Sequence, residues 1–183
     1  AVDEAASQAG LATLTAAMLS RVSERYSFDQ FNDAVEAVGG NLTLNAPTAV
    51  TNSLNLTSGR VFSSAVDLLS LRAGASAINY TDASYVDGPM QKIGSTNFTF
   101  PVGKNGNLRP CGLLGIAGAV GDAFTAEYFP ITAYTWGSAM EPTLDHVSAC
   151  EYWLIDRSVG ASNATVVLTW DTPESCGVSN PPD

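Results

Sequence analysis

Ser84-Tyr85-Val86-Asp87-Gly88-Pro89-Met90-Gln91-Lys92-Ile93-Gly94 opens the stretch on which the fold turns, which runs to Trp170. It continues through Phe98-Thr99-Phe100-Pro101-Val102-Gly103 and Asp122-Ala123-Phe124-Thr125-Ala126-Glu127-Tyr128-Phe129. It closes on His146-Val147-Ser148-Ala149-Cys150-Glu151-Tyr152-Trp153 and Val166-Val167-Leu168-Thr169-Trp170. Short alternating or aromatic-rich runs separated by Gly, Pro and Asn read as an antiparallel β-sandwich. Gly88-Pro89 marks a turn, and Asn105-Gly106 between apolar runs is a strong hairpin signal. Leu113 to Val120 reads either as a buried strand weakened by Gly115 and Gly118 or as a wide connection. Glu127 to Tyr134 reads as a strand broken at Pro130. Tyr152 to Ile155 and Val166 to Trp170 are the best strand candidates.

Upstream, residues 41–83 hold three apolar runs of period two, at Leu42-Thr43-Leu44, Leu54-Asn55-Leu56 and Leu68-Leu69-Ser70-Leu71. They are separated by 12 and then 15 residues, counted from Leu42 to Leu54 to Leu69. This spacing suits rungs of a β-helix stacked one on the next, or an ordinary β-meander. Residues 1–40 change period again. Leu11, Leu14, Met18 and Val22 recur at helical spacing, supported by Ala12, Ala16 and Ala17. A capping box of Ser27 and Gln30 opens a second helix with Phe28, Phe31, Val35 and Val38 on one face. Gly39-Gly40 ends it. The expected organisation is therefore an αα-hairpin over 1–40, a β-helix-like or meander segment over 41–83, and a β-sandwich over 84–183.

The 183 residues carry a net charge of −10 with only eight Lys and Arg. Nucleic acid and anionic membrane surfaces both need basic contacts, so neither is an expected partner. No run reaches the roughly 18 apolar residues of a membrane span. Asp3 and Glu4 near the start do not resemble the basic beginning of a signal peptide, so the chain is read as mature, as cut from a larger protein, or as cytosolic.

Candidate chemistry is sparse. His146 is the only histidine, its neighbour is Asp145, and there is no G-x-S-x-G elbow. Three cysteines, Cys111, Cys150 and Cys176, lack zinc-finger spacing. Glu127 with Glu151, or Asp122 with Asp145, would be needed at working separation for glycoside hydrolysis, and nothing in the sequence places them so. No D-x-D-x-D run offers Ca²⁺ a loop. Tyr128, Tyr134, Trp136, Tyr152, Trp153 and Trp170 serve either as sandwich core or as a carbohydrate-stacking face, and core is favoured for most. The expectation is no catalytic residue, no metal and no cofactor.

Several blocks carry a resemblance: SYVDGPMQKIGSTNFTFPVGKNGNLRP (84–110), DAFTAEYF (122–129), DHVSACEYWLIDRSVGASNATVVLTWD (145–171) and SCGV (175–178). Together they resemble a β-sandwich module of large bacterial surface proteins exported by type IX secretion. The resemblance implies no catalytic activity, an extracellular or cell-surface location, and a structural or adhesion role with a surface protein or glycan as partner. It also implies a disulfide between Cys150 and Cys176, whose contexts CEYW and SCGV match the module, with Cys111 left as a buried thiol. An antiparallel pairing of the strands near 151–155 and 166–170 would bring the two sulfurs together. Further strands follow SCGV in such modules, so the sequence is expected to be a fragment. Separately, AGLATLTAAMLSRVSERYSFDQFNDAVEAVGGNL (9–42) resembles the start of an insulinase-type (pitrilysin) peptidase domain. The H-x-x-E-H positions fall on Thr13, Ala16 and Ala17, so that likeness implies an inactive half-domain, or a chimera with the module. Two alternative functions follow: a fragment of an inactive insulinase-type subunit, and a carbohydrate-binding module.

Overall fold

The computed structural model describes Leu14–Thr15 and residues 40–137, 139, 141–143 and 147–169. In chain order its strands begin with β1 (Leu14–Thr15), β2 (Leu42–Thr43), β3 (Thr48–Val50), β4 (Ser53–Asn55), β5 (Val61–Phe62), β6 (Leu69–Leu71), β7 (Ser76–Ile78) and β8 (Val86–Asp87). They continue with β9 (Met90–Ile93), β10 (Phe98–Phe100), β11 (Gly103–Lys104), β12 (Asn107–Leu108), β13 (Cys111–Ala117), β14 (Ala123–Phe129), β15 (Tyr152–Val159) and β16 (Asn163–Leu168). A 3₁₀ turn covers Ala133–Trp136, its first amide capped by Thr132.

The fold is mainly β, built from parallel, antiparallel and mixed sheets packed on a shared core. The first part of the chain forms three parallel ladders. Leu42 aligns with Val61 and Val61 with Val86; Thr48 aligns with Leu69 and Leu69 with Met90; Ser53 aligns with Ser76. The chain thus visits the same three ladders in turn, returning to each after 19 to 25 residues. Inward positions repeat at each return: Val50, Leu69, Leu71 and Met90 are all buried.

Two expectations need correction. The runs at Leu42, Leu54 and Leu69 do not stack on one another, because each belongs to a different ladder. Apolar spacing of 12 and 15 measured steps that each pass over one intervening strand, whereas the stacking repeat is near 21. Leu14–Thr15, assigned to a helix from its periodicity, is a strand paired parallel to Leu42–Thr43. Pairing onto an existing ladder outweighs a weak propensity signal there. The rest of the expected hairpin lies outside the described residues.

The second part is antiparallel and begins without a break. β9 pairs parallel with β6 on one side and antiparallel with β14 on the other, giving the mixed order β15-β14-β9-β6-β3. Facing its inner side is the three-stranded sheet β10-β13-β16. Phe100, Cys111 and Leu113 of that sheet share one core with Phe124, Ala126 and Tyr128 of β14. The Asn105-Gly106 turn closes the β11–β12 hairpin with both residues at positive φ, 56° and 89°, the primed geometry that its sequence predicts. The stretch from Leu113 resolves as a strand with an irregularity between Leu114 and Ala117, where Gly115 takes a φ of 59°.

β15 and β16, the two strongest strand candidates, are neighbours in sequence but not in a sheet. β15 pairs with β14 and β16 with β13. The strand pairing on which the Cys150–Cys176 disulfide rested is therefore absent, and that argument for the bridge is corrected. No disulfide joins two described residues. Cys111 is a buried free thiol, Cys150 is not free, and Cys176 lies outside the described residues.

The turn between β15 and β16 is held by one carboxylate. Asp122 is buried and accepts from the amides of Ala161, at 3.2 Å, and Ser162, at 2.9 Å, and from the Ser162 hydroxyl. A Cβ at Gly160 would stand 2.1 Å from Asp122 Cγ, and one at Gly118 would collide with Ser162 Oγ, so both positions are closed to larger residues.

Candidate functional site on the outer face of the mixed sheet

Alternation along β14 and β15 sorts their side chains onto two faces. Phe124, Ala126 and Tyr128 go into the core, and Thr125, Glu127 and Phe129 point out. Cross-strand register then sets Thr125 opposite Asp156, Glu127 opposite Leu154 and Phe129 opposite Tyr152. The outer face therefore carries a polar pair, a mixed pair and an aromatic pair in sequence along the strands.

Phe129 and Tyr152 stack with centroids 4.9 Å apart and planes 14° apart. Trp136, delivered by the 3₁₀ turn, meets Tyr152 edge-on at 6.3 Å and is 70% exposed. Lys104 lies over the Phe129 ring, 4.7 Å from its centroid, and its ammonium donates to Glu127 Oε1 at 2.8 Å. Beside these residues a groove of about 280 Å³ is lined by Ala65, Leu68 and Pro89 on one wall and by Thr125, Glu127, Leu154 and Asp156 on its floor and far side. Its polar end continues into a hydrogen-bonded row. Ser70 donates to Gln91 Oε1 at 3.0 Å, Gln91 Nε2 donates to Ser158 Oγ at 3.1 Å, and Thr125 Oγ1 donates to the same Ser158 oxygen at 3.2 Å.

The aromatic residues divide by this rule. Tyr128 and Trp153 belong to the core side: the Tyr128 hydroxyl donates to Glu151 Oε2 at 2.7 Å, and Trp153 Nε1 donates to the Arg109 carbonyl at 2.9 Å. Burial and the adjacent Glu151 carboxylate push the Tyr128 hydroxyl pKa up, which keeps it protonated and donating. Tyr152 and Trp136 are on the outer face, and Tyr134 is exposed in the same 3₁₀ turn. Trp170 and His146 lie outside the described residues.

The carboxylates named from the sequence are dispersed. Glu127 faces out and is held by Lys104, whereas Glu151 binds the inward-pointing Tyr128, so the sheet separates them. Asp122 is committed to the turn at 160–162. The Ser162 hydroxyl, followed by the backbone amides of Ser162 and Ala161, draws its pKa down against the opposing effect of desolvation. Asp145 is not among the described residues. Among the described residues no group of three or more His, Cys, Asp or Glu is placed to hold a metal ion, and no helix is long and apolar enough to cross a membrane.

A second concavity, about 400 Å³, opens between the two sheets at Leu113, Phe124, Ile155 and Val166. Two of its polar residues are already engaged, since Arg157 Nη1 donates to the Ser162 carbonyl at 2.8 Å and Ser162 binds Asp122. It is the open end of the core, whereas the outer groove presents groups with bonding capacity left.

Sequence reasoning picked out Tyr152, Trp136 and Glu127 but missed Thr125, Leu154, Asp156 and Lys104 as their neighbours. The signal was available: Thr125-Glu127-Phe129 and Tyr152-Leu154-Asp156 each occupy every second position of a strand. Only the pairing register, which the sequence does not state, brings the two triplets side by side. Comparison with protein-family models, with curated proteins and with solved structures finds no match to this chain.

Proposed function

We propose that the chain is a non-catalytic structural and adhesion module of a bacterial surface protein exported by type IX secretion. In this reading the parallel ladders are β-helix-like rungs, and the antiparallel strands are the β-sandwich that follows them. The observation that carries it is the continuity of the mixed sheet. A strand of the parallel stack, β9, is also a strand of the antiparallel part, so the two form one stiff body suited to holding a binding face away from an anchor. The sequence blocks at 84–110, 122–129 and 145–171 support the same assignment, and the outer face of β14–β15 is the surface such a module would present. The partner is a surface protein or glycan.

Intact cells of the source organism, probed with an antibody to residues 84–169, test the location. Surface labelling, and loss of the epitope to externally added protease, are the expected results. Labelling only after lysis would refute it.

A further inference from the structure

We propose that the outer face of β14 and β15 binds a neutral oligosaccharide, with the exposed face of Trp136 as the stacking platform and the groove at Leu154 and Asp156 as its continuation. The residues are ordered along the strands. Trp136 stands at one end, and its edge contact with Tyr152 fixes its ring. Tyr152 is backed by Phe129 and Phe129 by Lys104, so the platform rests on a packed column rather than on a mobile side chain. From Tyr152 to Asp156 the strand advances roughly 13 Å, which suits an extended chain of sugar rings better than a single one.

Charge selects the ligand class. Among the described residues the one ammonium on this face, Lys104, is paired with Glu127 at 2.8 Å, and the exposed Asp156 repels an anionic ligand. A cationic ligand would find Glu127 already neutralised and the Phe129 ring already occupied by Lys104 at 4.7 Å, with Asp156 the one groove-lining carboxylate left to attract it. What remains is the Asp156 carboxylate, which accepts, the Thr125 hydroxyl oxygen, whose proton goes to Ser158 and whose lone pairs can accept, and apolar surface at Leu154. Polyhydroxylated rings with apolar C–H faces match that set. Mixed apolar and convergent polar groups of this kind are the usual make-up of small-ligand sites. The inference rests on the outer face being a binding surface and not on the cellular location proposed above.

The test uses the whole chain with defined probes: neutral hexasaccharides of β-glucan, α-mannan, β-xylan and β-N-acetylglucosamine, with a sulfated oligosaccharide alongside. Titration is followed by calorimetry and by tryptophan fluorescence. The expected result is saturable binding of at least one neutral probe with a change in fluorescence. Trp136→Ala and Asp156→Ala should each weaken it roughly tenfold, corresponding to about 1.4 kcal/mol. Val120→Ser, in the exposed turn between β13 and β14, should leave it unchanged. Trp136 and Asp156 are both exposed, so unaltered melting temperatures will show that the variants fold. Three results would overturn the proposal: no neutral probe bound at millimolar concentration, binding indifferent to both variants, or preference for the sulfated probe. Surface labelling of cells can fail while the titration succeeds, and the reverse, so the two proposals are separable.

Discussion

Lys92 offers a test in which two large effects oppose each other. It is 2% exposed, on the inner face of β9, and its ammonium donates to the carbonyls of Arg72 at 2.8 Å and Ala75 at 2.6 Å. It also lies 5.2 Å from the centroid of the Phe98 ring. Desolvating an ammonium costs several kcal/mol, and the burial draws the Lys92 pKa down from the usual lysine range. Lys92→Met keeps an unbranched apolar stem and removes that cost. It also removes two charge-assisted hydrogen bonds, each about 1.5–3 kcal/mol, and a cation–π contact of about 0.5–2 kcal/mol. The Arg72 carbonyl keeps the Ala75 amide as a donor at 3.0 Å. The Ala75 carbonyl has no other donor among the described residues, and an acceptor stranded in this way costs about 1–3 kcal/mol. That stranded acceptor is the part the variant cannot recover, so the expected net loss is about 2 kcal/mol, or roughly 4–8 °C in Tm for a chain of this size.

The pH dependence has a definite sign. A lysine whose folded pKa is lowered binds its proton more weakly in the folded state. Stability contributed by Lys92 therefore rises as pH climbs from that lowered value toward the ordinary 10.5. Urea unfolding at pH 7 reads the first quantity, and melting between pH 8 and 10.5 reads the second. A Lys92→Met protein as stable as the wild type at pH 7 would refute the claim that the carbonyl contacts outweigh desolvation. A gap that narrows with rising pH would refute the linkage.

Three further outcomes follow from other positions. Ser162→Ala should shift acid unfolding to higher pH. Asp122 has a lowered folded pKa, so its stabilisation is present above pH ~4 and disappears as pH falls through the folded value; the difference from wild type, measured by circular dichroism, should shrink at the acid end. Cys111, whose thiol is pushed up to about 12 by burial, should resist iodoacetamide at pH 8 in the folded chain and react on unfolding; equal rates by mass spectrometry would place it at the surface. Gly106→Val should lower stability by about 1–2 kcal/mol in urea titration, because a branched residue at a φ of 89° is strained, and an unchanged midpoint would count against the primed turn.

How much of this was legible depends on distance along the chain. The Asn105-Gly106 hairpin is a local matter of two residues and was readable directly. Alternation and aromatic content marked the run from Asp122 to Phe129 and the strand from Tyr152, but the strand read over Glu127 to Tyr134 is displaced, since β14 covers Ala123–Phe129 and Ala133–Trp136 is a 3₁₀ turn. What alternation does not specify is the partner. Leu42, Leu54 and Leu69 look alike as apolar runs, yet ladder membership is decided by how many residues each corner consumes, and those corners are of unequal length. The same ambiguity made β15 and β16 look like a hairpin. The three residues 160–162 between them do not close a turn within one sheet but carry the chain across the core, where Asp122, 40 positions away in the chain from Ser162, receives it. The groove depends on that same long-range register, which is why Asp156 and Thr125 had no visible connection in sequence.

The double role of β9 has a mechanical consequence. A load entering through the parallel stack is not passed along a peptide linker at residue 84. It is transferred sideways, through the hydrogen bonds that Met90–Ile93 makes to Leu69–Leu71 on one side and to Ala123–Ala126 on the other. Such a joint has no hinge, and extending it requires several bonds to shear together. A segment excised at residue 84 would instead carry away β9 with one edge stripped, offering its open backbone groups to any strand at hand. Separated in that way, the antiparallel half should polymerise, and its solubility would be a property of the stack it had left behind.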